Sequence, residues 1–277
     1  MQANQSSPQS AGAPRRSVQF SCTSQIIIPA RLRSTRLPQK LLLRETGKSL
    51  LQHTYESALR ARLPQGITVA VDCQELYDEV TAFGGTAVMT DADLPSGTDR
   101  VAAAAAEMPD VDVIVNVQGD EPEIDGEAID QLVCLLAARP AASVATLAAP
   151  IRSADRLENP ACVKLVMDQG GKALYFSRSP IPHARSWDPA LLRQNPPLFW
   201  QHIGIYAYRR EFLMQLGALP VSPLEETEKL EQLRFLQAGC EIVVGQVEAA
   251  PKGIDTSDDY RAFVRRYIRD LPRARVA

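Results

Sequence analysis

Apolar runs alternate with amphipathic stretches along the first 150 positions. Residues 25–29 (QIIIP) carry three consecutive branched apolar residues and stop at a proline, which predicts a strand buried on both faces. Over 49–63 the apolar positions Leu50, Leu51, Tyr55, Ala58 and Leu59 share one side of a 3.6-residue period and predict a helix. The alternation continues with a strand over 67–72, a helix over 74–83 closed by Gly84-Gly85, and a strand over 86–89. An alanine-rich helix over 99–108, a strand over 111–117, a helix over 127–138 and a strand over 143–148 follow. Repeated β–α–β units with near-continuous apolar strands predict an α/β fold: a Rossmann-like, doubly wound, mostly parallel sheet with right-handed crossovers.

Beyond residue 150 the pattern changes. Stretches 162–168, 173–177 and 202–208 alternate like strands but are joined by short connections, and 185–197 is a proline-rich loop. This predicts an antiparallel lobe, spanning approximately 160–222, inserted into a single domain over 24–277. The spacing predicts one helix over 224–238 and a final helix over 257–270. Residues 1–23, rich in Gln, Ser, Ala and Pro without an apolar core, predict a disordered tail and not a secretory signal.

Charge alters this picture locally. The net charge of −3 argues against a general nucleic-acid binder. Yet Arg15, Arg16, Arg31, Arg33, Arg36, Lys40 and Arg44 precede the first acidic residue, so an acidic chain opens with a cation cluster suited to an anionic ligand. Cys22, Cys73, Cys134, Cys162 and Cys240 have no metal-ligand spacing and read as reduced thiols of a cytoplasmic protein. No apolar run approaches the length of a membrane span.

Two clusters end buried strands and so should face one crevice. The first is IIIPARLRSTRLPQK, 26–40, where Arg31, Arg33, Arg36 and Lys40 offer cations and Ser34 and Thr35 hydroxyls. Planar guanidinium forks and a mobile ammonium suit the oxygens of a triphosphate. The stretch has neither a Walker nor a dinucleotide glycine pattern. The second is NVQGDEP, 116–122, where Asp120 and Glu121 bring hard oxygens suited to Mg²⁺ and Gln118 a polar amide. In GIDT, 253–256, Asp255 reads locally either as a helix N-cap or as a second carboxylate for the metal. Taken alone, His202 and Tyr206 read as core residues and Glu231 as a solvated helix charge.

These blocks, with SGTDRVA (96–102), YFSRSPIP (175–182), HIGIYAYR (202–209) and SPLEETEKLEQLR (222–234), occur in an order that resembles the 3-deoxy-manno-octulosonate (Kdo) cytidylyltransferases. The resemblance implies the nucleotidyltransferase fold. It also implies transfer of CMP from CTP to the anomeric 2-hydroxyl of Kdo, with release of pyrophosphate, in lipopolysaccharide synthesis. It implies that Arg31, Ser34, Arg36 and Lys40 wrap the triphosphate and that Ser96, Gly97 and Arg100 lie near the nucleotide. It places Gln118, Arg178, His202, Tyr206, Glu231 and Gln232 around the sugar acid, and Asp120 and Asp255 on Mg²⁺. Arg31, Arg36, Lys40 and Asp120 are the catalytic set. A cytoplasmic homodimer built through the lobe is also implied. Gln39 stands where the family usually has glycine, Leu94 where it often has histidine, and His183 where an aromatic residue is common. Sialic acid or amino-substituted Kdo as substrate, a nucleotide-sensing module and a nucleic-acid binder are the alternatives at this point.

Overall fold

The computed structural model describes residues 22–34 and 36–270. Of the expected tail, residues 1–21 lie outside the described residues. Cys22 and Thr23 belong to the folded domain: the Thr23 N–H donates to Asp112 Oδ2 at 2.8 Å and its hydroxyl lies 2.8 Å from the Asp110 carbonyl.

The first half follows the expected alternation: β1 (Ser24–Ala30), α1 (Leu50–Ala58), β2 (Ile67–Val71), α2 (Gln74–Ala82), β3 (Thr86–Met89), α3 (Gly97–Ala106), β4 (Val113–Asn116), α4 (Gly126–Ala138) and β5 (Val144–Pro150). The second half supplies α5 (Ala154–Glu158), the hairpin β6 (Lys164–Met167) and β7 (Ala173–Ser177), then β8 (Trp200–Arg209) and α6 (Arg210–Gln215). It ends with α7 (Pro223–Glu228), α8 (Gln232–Gln237), β9 (Ile242–Gln246) and α9 (Ser257–Asp270).

The nine strands form one sheet, ordered β3-β2-β1-β4-β8-β5-β9, with β6 and β7 attached through β8. β1 to β4 pair in parallel, β5 pairs in parallel with β9, and β8 runs antiparallel between β4 and β5. β8 therefore lies in the middle of the main sheet, whereas the sequence pattern grouped it with the lobe. The β6–β7 hairpin is the projecting part.

Burial explains the register. Ile26 and Ile28 of β1 face the layer that holds Leu51, Leu76, Leu132 and Leu136, while Ile27 faces the layer of Val101, Leu213 and Phe235. Each isoleucine is almost completely buried, and each contributes roughly 1.5–3 kcal/mol through that burial. Strand order reverses between β1 and β4, because β2 and β3 lie on one side of β1 and β4 on the other. That switch point opens a crevice beyond the carboxyl ends of β1 and β4.

One helix differs from its expectation. The stretch expected as a single helix over 224–238 breaks at Lys229, which adopts a left-handed conformation with φ 52°. α7 has no buried residue, whereas α8 seats Leu233 and Phe235 in the core. The chain changes direction so that only the second segment reaches the sheet.

Candidate active site at the switch point

A cleft of about 440 Å³ fills the crevice. Pro29, Arg31, Arg33, Ser34, Arg36 and Lys40 line it from the β1 side, Gln118, Gly119 and Asp120 from the β4 side, with Gly97 and Asp255. Close approach requires the glycine at 119: a Cβ there would stand 3.2 Å from the Pro29 carbonyl. A larger cavity of about 740 Å³ lies elsewhere and is rimmed by Glu123, Asp125, Glu127 and Glu248. Four carboxylates make that rim a poor place for phosphate.

Lys40 organises the cleft floor. Gln39, in the left-handed region at φ 49°, turns the chain into a 3₁₀ turn at Lys40–Leu42. The buried Lys40 ammonium then pairs with Asp120, donates to the Ile254 carbonyl at 2.7 Å and lies 3.7 Å from Asp255. The Ile254 N–H donates to the Asp120 carbonyl at 3.0 Å, so 120 and 254 are tied through the main chain as well. Arg36 reaches Asp255 at 3.1 Å. The N-cap duty considered for Asp255 falls to its neighbour: the Thr256 hydroxyl accepts from Asp259 N–H, and Asp259 Oδ2 accepts from the Thr256 N–H. The Asp255 carboxylate is thus free to face the cations.

Asp120 and Asp255 fit a magnesium site. They converge on one ammonium, so their negative charge is aimed at a common cation position. Among the described residues no group of three or more His, Cys, Asp or Glu could hold an ion by itself. Two carboxylates completed by phosphate oxygens are the pattern Mg²⁺ takes with nucleotides.

Arg31 and Arg100 each keep two guanidinium nitrogens without an acceptor among the described residues. Arg31 Nη1 donates to the Pro95 carbonyl at 3.4 Å, but Nε and Nη2 are shielded from water and unpaired. Arg100 is fully buried behind the cleft. It bonds the Thr90 hydroxyl through Nη1 and leaves Nε and Nη2 unpaired. Burial, then the nearby Arg31, pulls its pKa down. A pair of cations lacking protein acceptors calls for an anionic ligand. Arg100 supports the cleft from beneath and is not part of its lining. Ser96 also has a different task from the expected nucleotide contact: it caps α3, accepting from Asp99 N–H at 3.0 Å and bonding Asp99 Oδ2 at 2.6 Å. The cap fixes the helix so that Gly97, its first residue, borders the cleft, where the positive end of the helix dipole favours phosphate.

The expected sugar residues, Arg178 excepted, form a connected wall. Gln118 Nε2 donates to Asn116 Oδ1 at 3.2 Å, and Asn116 pairs with Tyr206 across the sheet. Tyr206 packs against His202 with ring centroids 5.4 Å apart and stacks on Tyr208 at 5.7 Å. Glu231 accepts from the Thr98 hydroxyl at 2.5 Å, and burial raises its pKa. Gln232 is buried beside it. Burial, then Glu231, keeps the Tyr206 phenol protonated well above its usual range. Burial pushes the His202 pKa down to about 3, so the ring is neutral.

Arg178 is placed differently from a free carboxylate binder. Its guanidinium donates to the carbonyls of Glu228 at 2.7 Å and Pro160 at 3.0 Å, and it bonds the Lys229 carbonyl at 3.4 Å. It braces the break between α7 and α8 that presents Glu231. Behind it Lys164, fully buried, donates to the carbonyls of Asn159, Cys162 and Arg178.

A second cleft of about 470 Å³ adjoins the first at Asp255 and is lined by Glu121, Arg156, Gln201, His202 and Gly253 among others. Glu121 Oε2 is buried without a partner. Gly253 lies close beside it, and a Cβ there would stand 2.8 Å from Oε1 and displace the carboxylate. Burial, then Asp120 and Asp255, raises the Glu121 pKa to about 7. Between the ordinary glutamate value of 4.5 and about 7 the folded state holds a proton the unfolded chain has released, so this group makes stability fall as pH rises. Glu121→Gln in metal-free protein is expected to raise the melting temperature at pH 8 by several degrees and to change it little at pH 5. Equal shifts at both pH values would contradict the assignment.

Thr98, Asn116 and Tyr208 complete the sugar wall beyond the expected binding set, while Glu121, expected beside Asp120 as a hard oxygen for Mg²⁺, lies buried in the second cleft. Asn116 and Glu121 belong to the NVQGDEP block, whereas Thr98 and Tyr208 sit inside blocks whose neighbours drew attention. Thr146, described below, had no sequence signal.

A cation loop and two carboxylates at the switch point of a mixed α/β sheet define a nucleotide-dependent transferase. The chain matches the cytidylyltransferase family model over residues 25–242. It is 52% identical over 242 residues to the 3-deoxy-manno-octulosonate cytidylyltransferase of Rhodopirellula baltica, covering 87% of this chain and 97% of that protein. The enzyme of the same name from Chloroherpeton thalassium is 47% identical over 236 residues, covering 84% and 93%. The solved structure of CMP:2-keto-3-deoxy-manno-octonic acid synthetase complexed with CTP superposes with a TM-score of 0.83 at 39% identity, covering 90% of this chain and 100% of that one. The chain belongs to the 3-deoxy-manno-octulosonate cytidylyltransferase family.

Proposed function

We propose that this protein transfers CMP from CTP to the anomeric 2-hydroxyl of Kdo, giving CMP-Kdo and pyrophosphate. The observation that carries the reading is the meeting of the cation loop with Asp120 and Asp255 in one cleft, beside the polar wall of Gln118, Tyr206 and Glu231. The triphosphate lies along Arg31, Ser34, Arg36 and Lys40, with its chain of negative charge against the start of α3. The sugar 2-hydroxyl oxygen attacks the α-phosphorus and releases its proton to solvent, the bond to the oxygen bridging the α- and β-phosphates breaks, and that oxygen leaves with its electron pair and negative charge on pyrophosphate. Arg31, Arg36 and Lys40 stabilise that charge as it develops. Asp120 and Asp255 would hold Mg²⁺, which supplies Lewis-acid polarisation of the phosphate oxygens when bound. Lys40, paired with both carboxylates, keeps them oriented. Glu231 and Gln118 orient the sugar hydroxyls, and Arg178 and Lys164 support the loops behind them.

The product serves lipopolysaccharide-type glycans, which places the enzyme in the bacterial cytoplasm. Among the described residues no helix is long and apolar enough to cross a membrane. A homodimer through the lobe fits the exposure of Leu174 on β7 and of Trp187 in the following loop. Light scattering should give twice the chain mass, and a monomer at micromolar concentration would contradict that part.

Pyrophosphate release with CTP and Mg²⁺ should depend on Kdo and be much slower with sialic acid. Comparison with amino-substituted Kdo sets the preference between the two octulosonates. Equal release with all three sugars, or without sugar, would overturn the assigned substrate.

A further inference from the structure

We propose that Thr146 is a positioning residue that fixes the tautomer of His202, making His202 Nδ1 a hydrogen-bond acceptor for a sugar hydroxyl. The inference rests on the sugar-acid reading for its ligand, but its structural half stands without one.

The sheet is irregular where β5 meets β8. β5 and β8 pair Thr146 with Tyr206 and then Leu147 with Ile203, so Gly204 and Ile205 of β8 have no partner on β5. The bulge lies just past the end of β4, whose last pair with β8 is Asn116 with Tyr206. Bulges re-aim side chains, and here the redirected segment carries His202 and Ile203 along the second cleft.

Thr146 is fully buried at this bulge. Its hydroxyl oxygen lies 2.9 Å from the Ile205 carbonyl, 3.1 Å from the Ile203 carbonyl and 3.0 Å from His202 Nε2. A hydroxyl has one proton, and a carbonyl can only accept. The proton therefore serves a carbonyl of the bulge, and the oxygen accepts from the ring. Nε2 must carry hydrogen. Burial holds the ring neutral, so this is its one N–H, and Nδ1 keeps a lone pair. Nδ1 has no hydrogen-bond partner among the described residues, while the ring lines the second cleft. Phe176 at 5.0 Å, edge-on, and Tyr206 at 5.4 Å restrict its rotation. A fixed lone pair there recognises a donor, and a polyhydroxylated sugar acid supplies one. One threonine thus satisfies the bulge and sets the polarity of the histidine.

The test has two arms. The chain has three histidines, His53, His183 and His202, so long-range ¹H–¹⁵N spectra of the labelled protein can be assigned with the His202→Gln variant. The expected pattern for His202 is a protonated Nε2 and a pyridine-like Nδ1, without any ligand present. Thr146→Val, which keeps the shape and loses the hydroxyl, should perturb that pattern. It should also raise KM for Kdo about tenfold while KM for CTP stays within twofold, and Thr146→Ser should restore both. Protonated Nδ1 in the parent protein would overturn the proposal. So would an unchanged KM for Kdo in a folded Thr146→Val variant with an altered tautomer. Should the valine variant not fold, the parent spectrum and recovery in the serine variant decide. Inactivity of the parent with Kdo would instead strike the substrate reading and leave the tautomer arm to be judged alone.

Discussion

Asp120→Asn is expected to lower turnover with CTP and Kdo by at least about 10³-fold, on the order of 4 kcal/mol of transition-state stabilisation. Asparagine keeps the shape and can still accept from Lys40, and the Asp120 carbonyl that holds Ile254 N–H is main chain. The fold should persist with a melting temperature within a few degrees of the parent. What is lost is one of the two negative charges converging on the common cation position. Titration with Mn²⁺ in the presence of CTP, followed by electron paramagnetic resonance, should show metal affinity reduced in parallel. Near-normal turnover, or unaltered Mn²⁺ binding with low activity, would remove Asp120 from the metal site.

Arg31→Met should separate function from stability. In the ligand-free protein Arg31 and Arg100 together leave four guanidinium nitrogens buried and without a partner among the described residues. Each such donor costs roughly 1–3 kcal/mol when it has no acceptor. Arg31 also lowers the pKa of Arg100 by charge repulsion. The site thus stores unfavourable energy that a triphosphate relieves. Removing Arg31 should raise the melting temperature of the free protein by a few degrees, lower kcat/KM for CTP about 10²-fold and shrink the stabilisation produced by CTP. A variant less stable than the parent but stabilised equally by CTP would show that Arg31 serves the fold and not the nucleotide.

Much of this was legible in the chain, for physical reasons that differ by residue. The loop after β1 and the turn after β4 could be read because each ends a continuous apolar run, and in an open sheet such ends share a crevice. The density of cations at 31–40 and of acids at 120–121 then stood out against ordinary surface. Asp255 was ambiguous on local grounds, since an Asp before Thr-Ser suits a helix cap. Only the fold, by giving that task to Thr256 and Asp259, freed its carboxylate.

Other features leave no local trace. A threonine in β5 looks like any β-branched core residue until the bulge in β8 brings carbonyls and a ring nitrogen to its hydroxyl. Lys164 reads as a surface lysine in a strand, and its burial depends on three carbonyls, two from the segment just before it and one from Arg178 past the end of β7. The break at Lys229 is hidden because no glycine or proline marks it within EETEKLEQL, and the need to seat α8 against the sheet sets the turn. Ser96, Arg100 and Arg178 were recognised through family blocks that mark important positions without saying how a side chain acts. In the fold they cap, underlie and brace.

A cleft that joins CTP to the 2-oxygen of Kdo has a direct signature in ³¹P spectra of the protein incubated with CTP, Mg²⁺ and Kdo labelled with ¹³C at carbon 2. Expected are equal amounts of pyrophosphate and a new phosphodiester whose phosphorus couples to the labelled carbon, neither formed at an appreciable rate by Asp120→Asn. Pyrophosphate without that coupled signal, or no change in CTP from a folded protein that binds metal, would show that the cleft does not join the two.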